Sequence, residues 1–438
     1  RKQRKAVADM AEDYRAFLTR CKTERETIDY ALERAAAAGF SEDFSSTSCL
    51  RSNRGKTCFL ARRGRKPLSA GFRLIGAHGD TPRLDLKQHP LYEDAGLALA
   101  KTHYYGGIRK HQWLARPLAL HGVAVKTDGT AVPITVGEDP ADPVMTISDL
   151  LPHLAHKLMN KKVSDAFEAE KLNVVFGHCP VKPGKDAPKE RAKRLLLEHL
   201  WEQYGLVEAD LYSAEMQMVP AGQARFVGLD RALIGGYGQD DRASCFAALE
   251  ALFAEPEPEH CQVVLLWDKE EIGSDGATGA KSLFFEYCMQ ELVEAWEPKA
   301  RLSQVFMDGK AISADVTAAV EPDYQDLYEK RNSAWIGYGP CFNKFTGHRG
   351  KYGANDAHPE FIAFLRRILD GAGVPWQMAE LGRVDLGGGG TVAKFLAVYG
   401  MDIIDMGTPV LSMHSPFELT SSADVYATVQ AFREFLRS

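Results

Sequence analysis

The chain has 438 residues, 45% of them hydrophobic, with 53 Lys and Arg against 59 Asp and Glu. That length and apolar fraction suit a folded protein of two or three domains, and the slightly acidic balance argues against a dedicated binder of nucleic acid or of anionic membranes. Its apolar runs fall short of the roughly 18 to 20 residues that cross a bilayer, and its charged start, at Arg1 with no Met as in a trimmed chain, is unlike a secretory leader, so a cytoplasmic location is expected.

Residues 5–38 carry helical periodicity that stops at Gly39, which predicts an opening helix. TCFLARRG and LSAGFRLIGAH read as two strands with a polar turn between them, the second running into His78 and Asp80. From about Pro90 to Gly228 the texture changes. LALHGVAVKTDGTAVPITV alternates around Asp128-Gly129, a hairpin signal, and ISDLLPHLAHKLM follows as a helix candidate. A basic run, VKPGKDAPKERAKR, reads as a solvated surface before the helix LLLEHLWEQYG. After Gly235 the pattern is regular. It runs through the helix RASCFAALEALFA, the strand CQVVLLWD, the helix SLFFEYCMQELVEAW, the strand RLSQVFMD and the helix HPEFIAFLRRILDGAG. A Gly-rich turn then enters the helix GGGGTVAKFLAVYG, followed by the strand MDIIDMG and the closing helix SADVYATVQAFREFLR.

The expected fold is therefore α/β, a mixed and largely parallel sheet sandwiched by helices over residues 1–90 and 229–438, with an inserted β-rich second domain over 91–228. The 8 Cys include no CxxC and read as reduced, packed thiols.

Polar clusters follow the strand-like runs: His78 and Asp80, Asp240 and Asp241, Glu270 and Glu271, Asp315, and His414. In α/β sheets such positions fall beyond the carboxyl ends of strands, where ligands bind. Imidazole and carboxylate donors suit a hydrated divalent ion such as zinc, and more of them are present than one tetrahedral ion needs, which points to two metals. In an adjacent Glu pair one side chain can bind metal while the other faces the water as general base. A carboxylate two residues from a histidine, as Asp80 is from His78, suits a partner that fixes the imidazole tautomer.

HGDTP, GQDDRASC, DKEEIGS, SADVTAAVEPDY and LSMHS, in this order and at these separations, together with YYGGIRKHQWLARPL in the insert, resemble the motifs of a known family. It is the aspartyl aminopeptidase and aminopeptidase I family of dinuclear zinc exopeptidases, in its bacterial type, and the resemblance covers nearly the whole chain. It implies a zinc exopeptidase-like fold and removal of N-terminal amino acids from peptides. It implies two divalent ions per chain, zinc with cobalt or manganese as substitutes. His78 and Asp315 would hold one ion, Glu271 and His414 the other, and Asp240 would bridge them, with Glu270 as general base and Asp80 orienting His78. Asp240 is taken over Asp241 because the family's ligand Asp is followed by Asn and an apolar residue, the places that Asp241 and Arg242 hold in this chain.

The resemblance further implies a homo-dodecamer built from dimers, in which the insert contacts a neighbour and His111 reaches that neighbour's active site. It sets Gly389, within the run Gly387 to Gly390, near the substrate; that run matches neither GxGxxG nor a Walker loop. Lys344, with Arg349 and Lys351, is a candidate for meeting substrate charge. Acid-selective members carry His where this chain has Thr317 and Glu321, so the reaction is expected without a preference for Asp or Glu. The competing readings are another dinuclear amide hydrolase, a carboxypeptidase or deacylase, and a non-catalytic binding shell.

Overall fold

The opening run folds as two helices, Lys2–Arg20 and Glu24–Ala37, in place of the single helix expected. A capping box restarts the helix: Glu26 N donates to Thr23 Oγ1 at 3.2 Å and Thr23 N to Glu26 Oε2 at 3.0 Å. Gly39, at φ +81, ends the second helix, with Phe40 N bonded back to Ala35 O.

This computed structural model describes residues 2–182, 189–254 and 257–438, so part of the basic run, 183–188, lies outside the described residues. Contacts divide the chain into two compact units: Arg1–Thr81, Ala224–Met413 and Phe417–Ser438 in one, Pro82–Gln223 and His414–Pro416 in the other. The division falls beside Pro82 and Ala224, where the sequence expectation put it at 90/91 and 228/229. The strand Arg83–Asp94 pairs along its length with Leu97–Tyr105 and also with Ala214–Pro220, all within the second unit.

Eight strands form the main sheet of the first unit, in the spatial order Ser48–Asn53, Thr57–Arg62, Cys261–Trp267, Phe72–His78, Lys310–Ala314, Asp402–Gly407, Cys341–Asn343 and Gln377–Met378. The four from Cys261–Trp267 to Asp402–Gly407 run parallel. Successive side chains of a strand face opposite sides. Cys58, Leu60, Ile75, Ala77, Val264 and Leu266 accordingly join one apolar cluster with helical residues such as Tyr14, Ile28, Phe246 and Phe432. Phe59, Ala61, Phe72, Leu74, Val263 and Leu265 join the other, with Phe285, Leu292, Phe306 and Leu396. Helices therefore cover both faces, and the expected α/β sandwich is the observed one.

Three further elements differ from expectation. RLSQVFMD gives the helix Leu302–Met307, and the strand is the next run, Lys310–Ala314. Leu302, Val305 and Phe306 are spaced three and four apart, a helical face, and Gly309 separates the two elements. ISDLLPHLAHKLM forms only the 3-10 turn Pro152–Leu154 and one turn His156–Met159, because Pro152 has no N–H to donate. The Gly-rich turn leads only into Ala393–Leu396 and a 3-10 turn, Ala397–Tyr399.

The second unit holds a six-stranded antiparallel sheet, ordered Ala131–Val136, Leu118–Val125, Ala214–Pro220, Arg83–Asp94, Leu97–Tyr105 and Val174–Gly177. Its first two strands form the hairpin expected around Asp128-Gly129, with Val125 opposite Ala131. All the cysteines are free thiols, buried except for Cys179. Among the described residues no helix is long and apolar enough to cross a membrane.

Candidate metal centre

Parallel register gathers the polar residues. Trp267 pairs with His78 and Ser313 with Gly76, so three neighbouring strands end at one edge, leading to Asp80, to Glu270 and Glu271, and to Asp315. The helix Gln239–Phe253 adds Asp240 at its start, where the dihedrals are non-helical (φ −84, ψ 104) and the Asp240–Asp241 peptide is cis. Fully buried Glu418 accepts from Gln239 N at 2.5 Å and Asp240 N at 3.2 Å, while Thr81 Oγ1 donates to Asp240 O at 2.8 Å. Behind Asp315 the chain passes at Gly407, where a Cβ would lie 1.8 Å from Asp315 O, so only glycine fits this close approach.

His78 is 1% exposed. Its Nδ1 lies 3.1 Å from the backbone oxygen of Asp80 and 3.3 Å from Asp80 Oδ1, and its Nε2 lies 3.4 Å from Asp240 Oδ1 and 3.8 Å from Asp315 Oδ1. Nε2 has no hydrogen-bond partner among the described residues. Buried Asp80 also accepts from Glu270 N through Oδ1 and from Glu271 N through Oδ2, both at 3.2 Å. One carboxylate thus meets the imidazole and carries the Glu-Glu turn.

Ligand-capable atoms of His78, Glu270 and Glu271 lie within 4.8 Å of one another, as do those of His78, Asp241 and Asp315. Proximity therefore admits Asp241 as well as Asp240; hydrogen bonding separates them. Asp241 Oδ2 accepts from His78 N at 3.3 Å and Oδ1 from Val316 N at 3.2 Å, which ties two strand ends together. A buried imidazole nitrogen without a hydrogen bond, turned toward carboxylates, is a donor set that fits zinc.

Burial and the crowding of carboxylates favour the protonated forms in this cluster. Burial, with the carboxylates of Asp315, Asp240 and Asp80 added and His78 working against them, pushes Glu270 up to about 8. Burial and then Asp315 raise Asp241 well above the carboxylate range. Burial opposes the charge of His78, but Asp240, Asp315 and Asp80 outweigh it and hold the imidazole well above its ordinary value. Each group with a raised folded pKa adds stability that is present at low pH and lost as pH rises through the folded value. Metal-free protein should therefore melt at a lower temperature at about pH 8 than at about pH 5, and zinc should remove most of that slope. A metal-free melting temperature that rises over this window would mean that the carboxylates are not crowded as described.

The remaining expected site residues are placed as follows. His414, at φ +65, lies in the second unit with Nδ1 2.9 Å from Gly107 O. His111, also in that unit, has its ring 5.6 Å from that of Phe167, and burial followed by Arg109 lowers its pKa. Lys344 is ion-paired: its Nζ lies 2.6 Å from Asp356 Oδ1, and Lys351 takes Oδ2 at 3.2 Å. Arg349 is exposed. Gly389 pairs with Gly347 in a two-stranded ladder. Thr317 Oγ1 accepts from Asn343 Nδ2 at 2.9 Å, and Glu321 Oε1 accepts from Ser412 N.

Sequence reasoning missed two buried carboxylates. Glu418 braces Asp240, and Asp405, on the Asp402–Gly407 strand, is pushed up to about 7 chiefly by burial. For Asp405 the available signal was an acidic residue inside the apolar run DIIDMG; Glu418 opens the strand ELTS, which carries no such signal.

The family described as aminopeptidase I zinc metalloprotease, M18, matches residues 17–436. A protein of Clostridium acetobutylicum named "Probable M18 family aminopeptidase 1" is 45% identical over 449 aligned residues, covering 100% of this chain and 96% of its own. The crystal structure of an M18-family aminopeptidase from Thermotoga maritima matches with a TM-score of 0.94 at 44% identity, over 99% of this chain and 97% of that one. The S. cerevisiae mApe1 dodecamer shares the fold, with a TM-score of 0.78 at 22% identity over 98% and 96% of the two chains.

Proposed function

The chain belongs to the aminopeptidase I zinc metalloprotease family, M18, and on that premise of a zinc aminopeptidase we propose a two-metal centre with Glu270 as its general base. The observation that supports it most is buried His78 Nε2, without a hydrogen-bond partner among the described residues and turned to Asp240 and Asp315. We assign His78 and Asp315 to one ion, Glu271 and His414 to the other and Asp240 to both. Asp241 is left out because both its oxygens accept backbone N–H groups. His414 enters on its motif, LSMHS.

Bound in this way, two divalent ions would polarise the scissile carbonyl and acidify the attacking water. Glu270 takes the proton of that water and returns it to the leaving amine. Asp80 holds His78 at Nδ1, which leaves Nε2 for the metal, and through two backbone amides it fixes the turn bearing Glu270. At metal saturation the protein should contain two ions per chain; a plateau at one would overturn the dinuclear reading.

We further propose a cytoplasmic homo-dodecamer built from dimers and acting on peptides, with the second unit making subunit contacts. Leu150, Leu151, Leu154, Met159 and Val163 of that unit are exposed by 43% to 76%, the kind of apolar surface that marks an interface. In that assembly His111 completes a neighbouring subunit's site. Acidic selectivity is not expected, since Lys344 is already paired with Asp356 and Thr317 and Glu321 add no positive charge. On aminoacyl anilides with zinc, cobalt or manganese, kcat/KM for leucyl or lysyl substrates should at least equal that for aspartyl and glutamyl. A tenfold aspartyl or glutamyl preference, about 1.4 kcal/mol of differential transition-state binding, would overturn that expectation.

A further inference from the structure

The turn that carries Glu270 and Glu271 starts from Lys269, which adopts the left-handed conformation, φ +68 and ψ 17. Residues with a side chain seldom hold that conformation unless their surroundings fix them. Here the backbone is fixed by Lys269 O, which accepts from Ser274 N at 2.6 Å and from Ile272 N at 3.4 Å. The side chain is fixed as well. Lys269 Nζ donates to Asp268 Oδ2 at 2.6 Å and to Thr278 Oγ1 at 2.9 Å, and Thr278 Oγ1 donates to Asp268 Oδ2 at 2.7 Å.

Asp268 is 1% exposed, and its Oδ1 makes no hydrogen bond among the described residues, so its compensation comes through Oδ2. Lys56 Nζ lies 3.6 Å from that oxygen and 3.3 Å from Oε1 of buried Glu24. Two carboxylates and two ammonium groups thus balance behind the turn, and of these cations Lys269 alone belongs to it. Its aliphatic stem crosses Gly276, where a Cβ would come within 3.3 Å of Lys269 Cδ and Cε. Thr278 is itself anchored to the sheet by Thr57 Oγ1, which donates to Thr278 O at 2.6 Å.

We propose that Lys269 is a positioning residue for Glu270: its ammonium, clamped between Asp268 and Thr278, fixes the left-handed residue from which Glu270 projects. The proposal rests on the reading of Glu270 as the base. Orientation of a base acts on the chemical step rather than on substrate binding, so the effect belongs in kcat.

The test is steady-state kinetics of the zinc-loaded protein with a leucyl anilide, with metal content measured for each variant. Lys269→Met should lower kcat at least tenfold, with KM within threefold of wild type and metal content unchanged. Lys269→Gly, whose backbone accepts the left-handed conformation without penalty, should lose as much, because the ammonium is gone. Lys269→Arg should recover to within threefold of wild type. Thr278→Val, which removes one acceptor of the ammonium, should lower kcat at least threefold and carries the test if the Lys269 variants do not fold. In a Glu270→Gln background, Lys269→Met should cause no further loss.

The proposal is overturned if Lys269→Met or Lys269→Gly keeps kcat within threefold of wild type, if the loss follows metal loss, or if it persists undiminished beside Glu270→Gln. Full activity of Glu270→Gln alone would instead overturn the reading of the base, whatever the Lys269 variants do.

Discussion

Glu270→Gln should lower kcat by about 10²–10⁴-fold while both metals stay bound. The substitution keeps the size and shape of the side chain and removes only its capacity to take a proton. The backbone N–H of residue 270 still donates to Asp80 Oδ1, so the turn and its neighbour Glu271 are held as before. In the metal-free protein, burial and nearby carboxylates push Glu270 up to about 8, and bound cations would stabilise its ionised form, the form a base needs. The discriminating measurement is kcat beside metal stoichiometry. Activity within a fewfold of wild type would remove Glu270 from the mechanism, whereas inactivity with metal lost would mean that it acts as a ligand.

His78→Ala should fail differently, through the metal. The substitution deletes the imidazole whose Nε2 stands 3.4 Å from Asp240 and 3.8 Å from Asp315, and would leave the ion proposed for His78 and Asp315 without its imidazole ligand. Disturbing only the partner of a metal-bound histidine costs about 10- to 100-fold in metal affinity or activity, so loss of the ligand itself should cost at least about a hundredfold in kcat/KM. Metal content should fall below two per chain, and excess zinc should restore activity only in part. Full metal content with full activity in His78→Ala would exclude it from the centre.

Periodicity exposed most of the main sheet because its central strands are buried on both sides and read as continuous apolar runs. It failed where apolar spacing was ambiguous over a short run, as in RLSQVFMD, and where Pro152 broke a helix-like pattern. The pairing of Cys261–Trp267 between Thr57–Arg62 and Phe72–His78 was not legible, since strand order is set by crossovers that leave no local mark. For the site, ordered motifs located the polar residues, but residue type alone could not show that Asp241 spends both oxygens on backbone amides or that Lys344 shares Asp356 with Lys351. The Asp241 contacts depend on partners distant in the chain, and the Lys344 pair on a loop that brings back a residue twelve places on.

The break between the first two helices reaches further than their own ends. At that break Lys22 O accepts from Arg242 Nη2 at 2.7 Å, and Tyr14 OH donates to Gln239 Oε1 at 3.0 Å. Arg242 is fully buried and follows directly on the two aspartates. The N-terminal helices therefore act as a keystone, set at the far end of the sequence from His414 yet bearing on the loop that holds Asp240. A chain shortened to begin at its first strand would retain all five assigned ligands, but an interior guanidinium would be stripped of its shortest hydrogen bond, a loss that buried charges tolerate poorly.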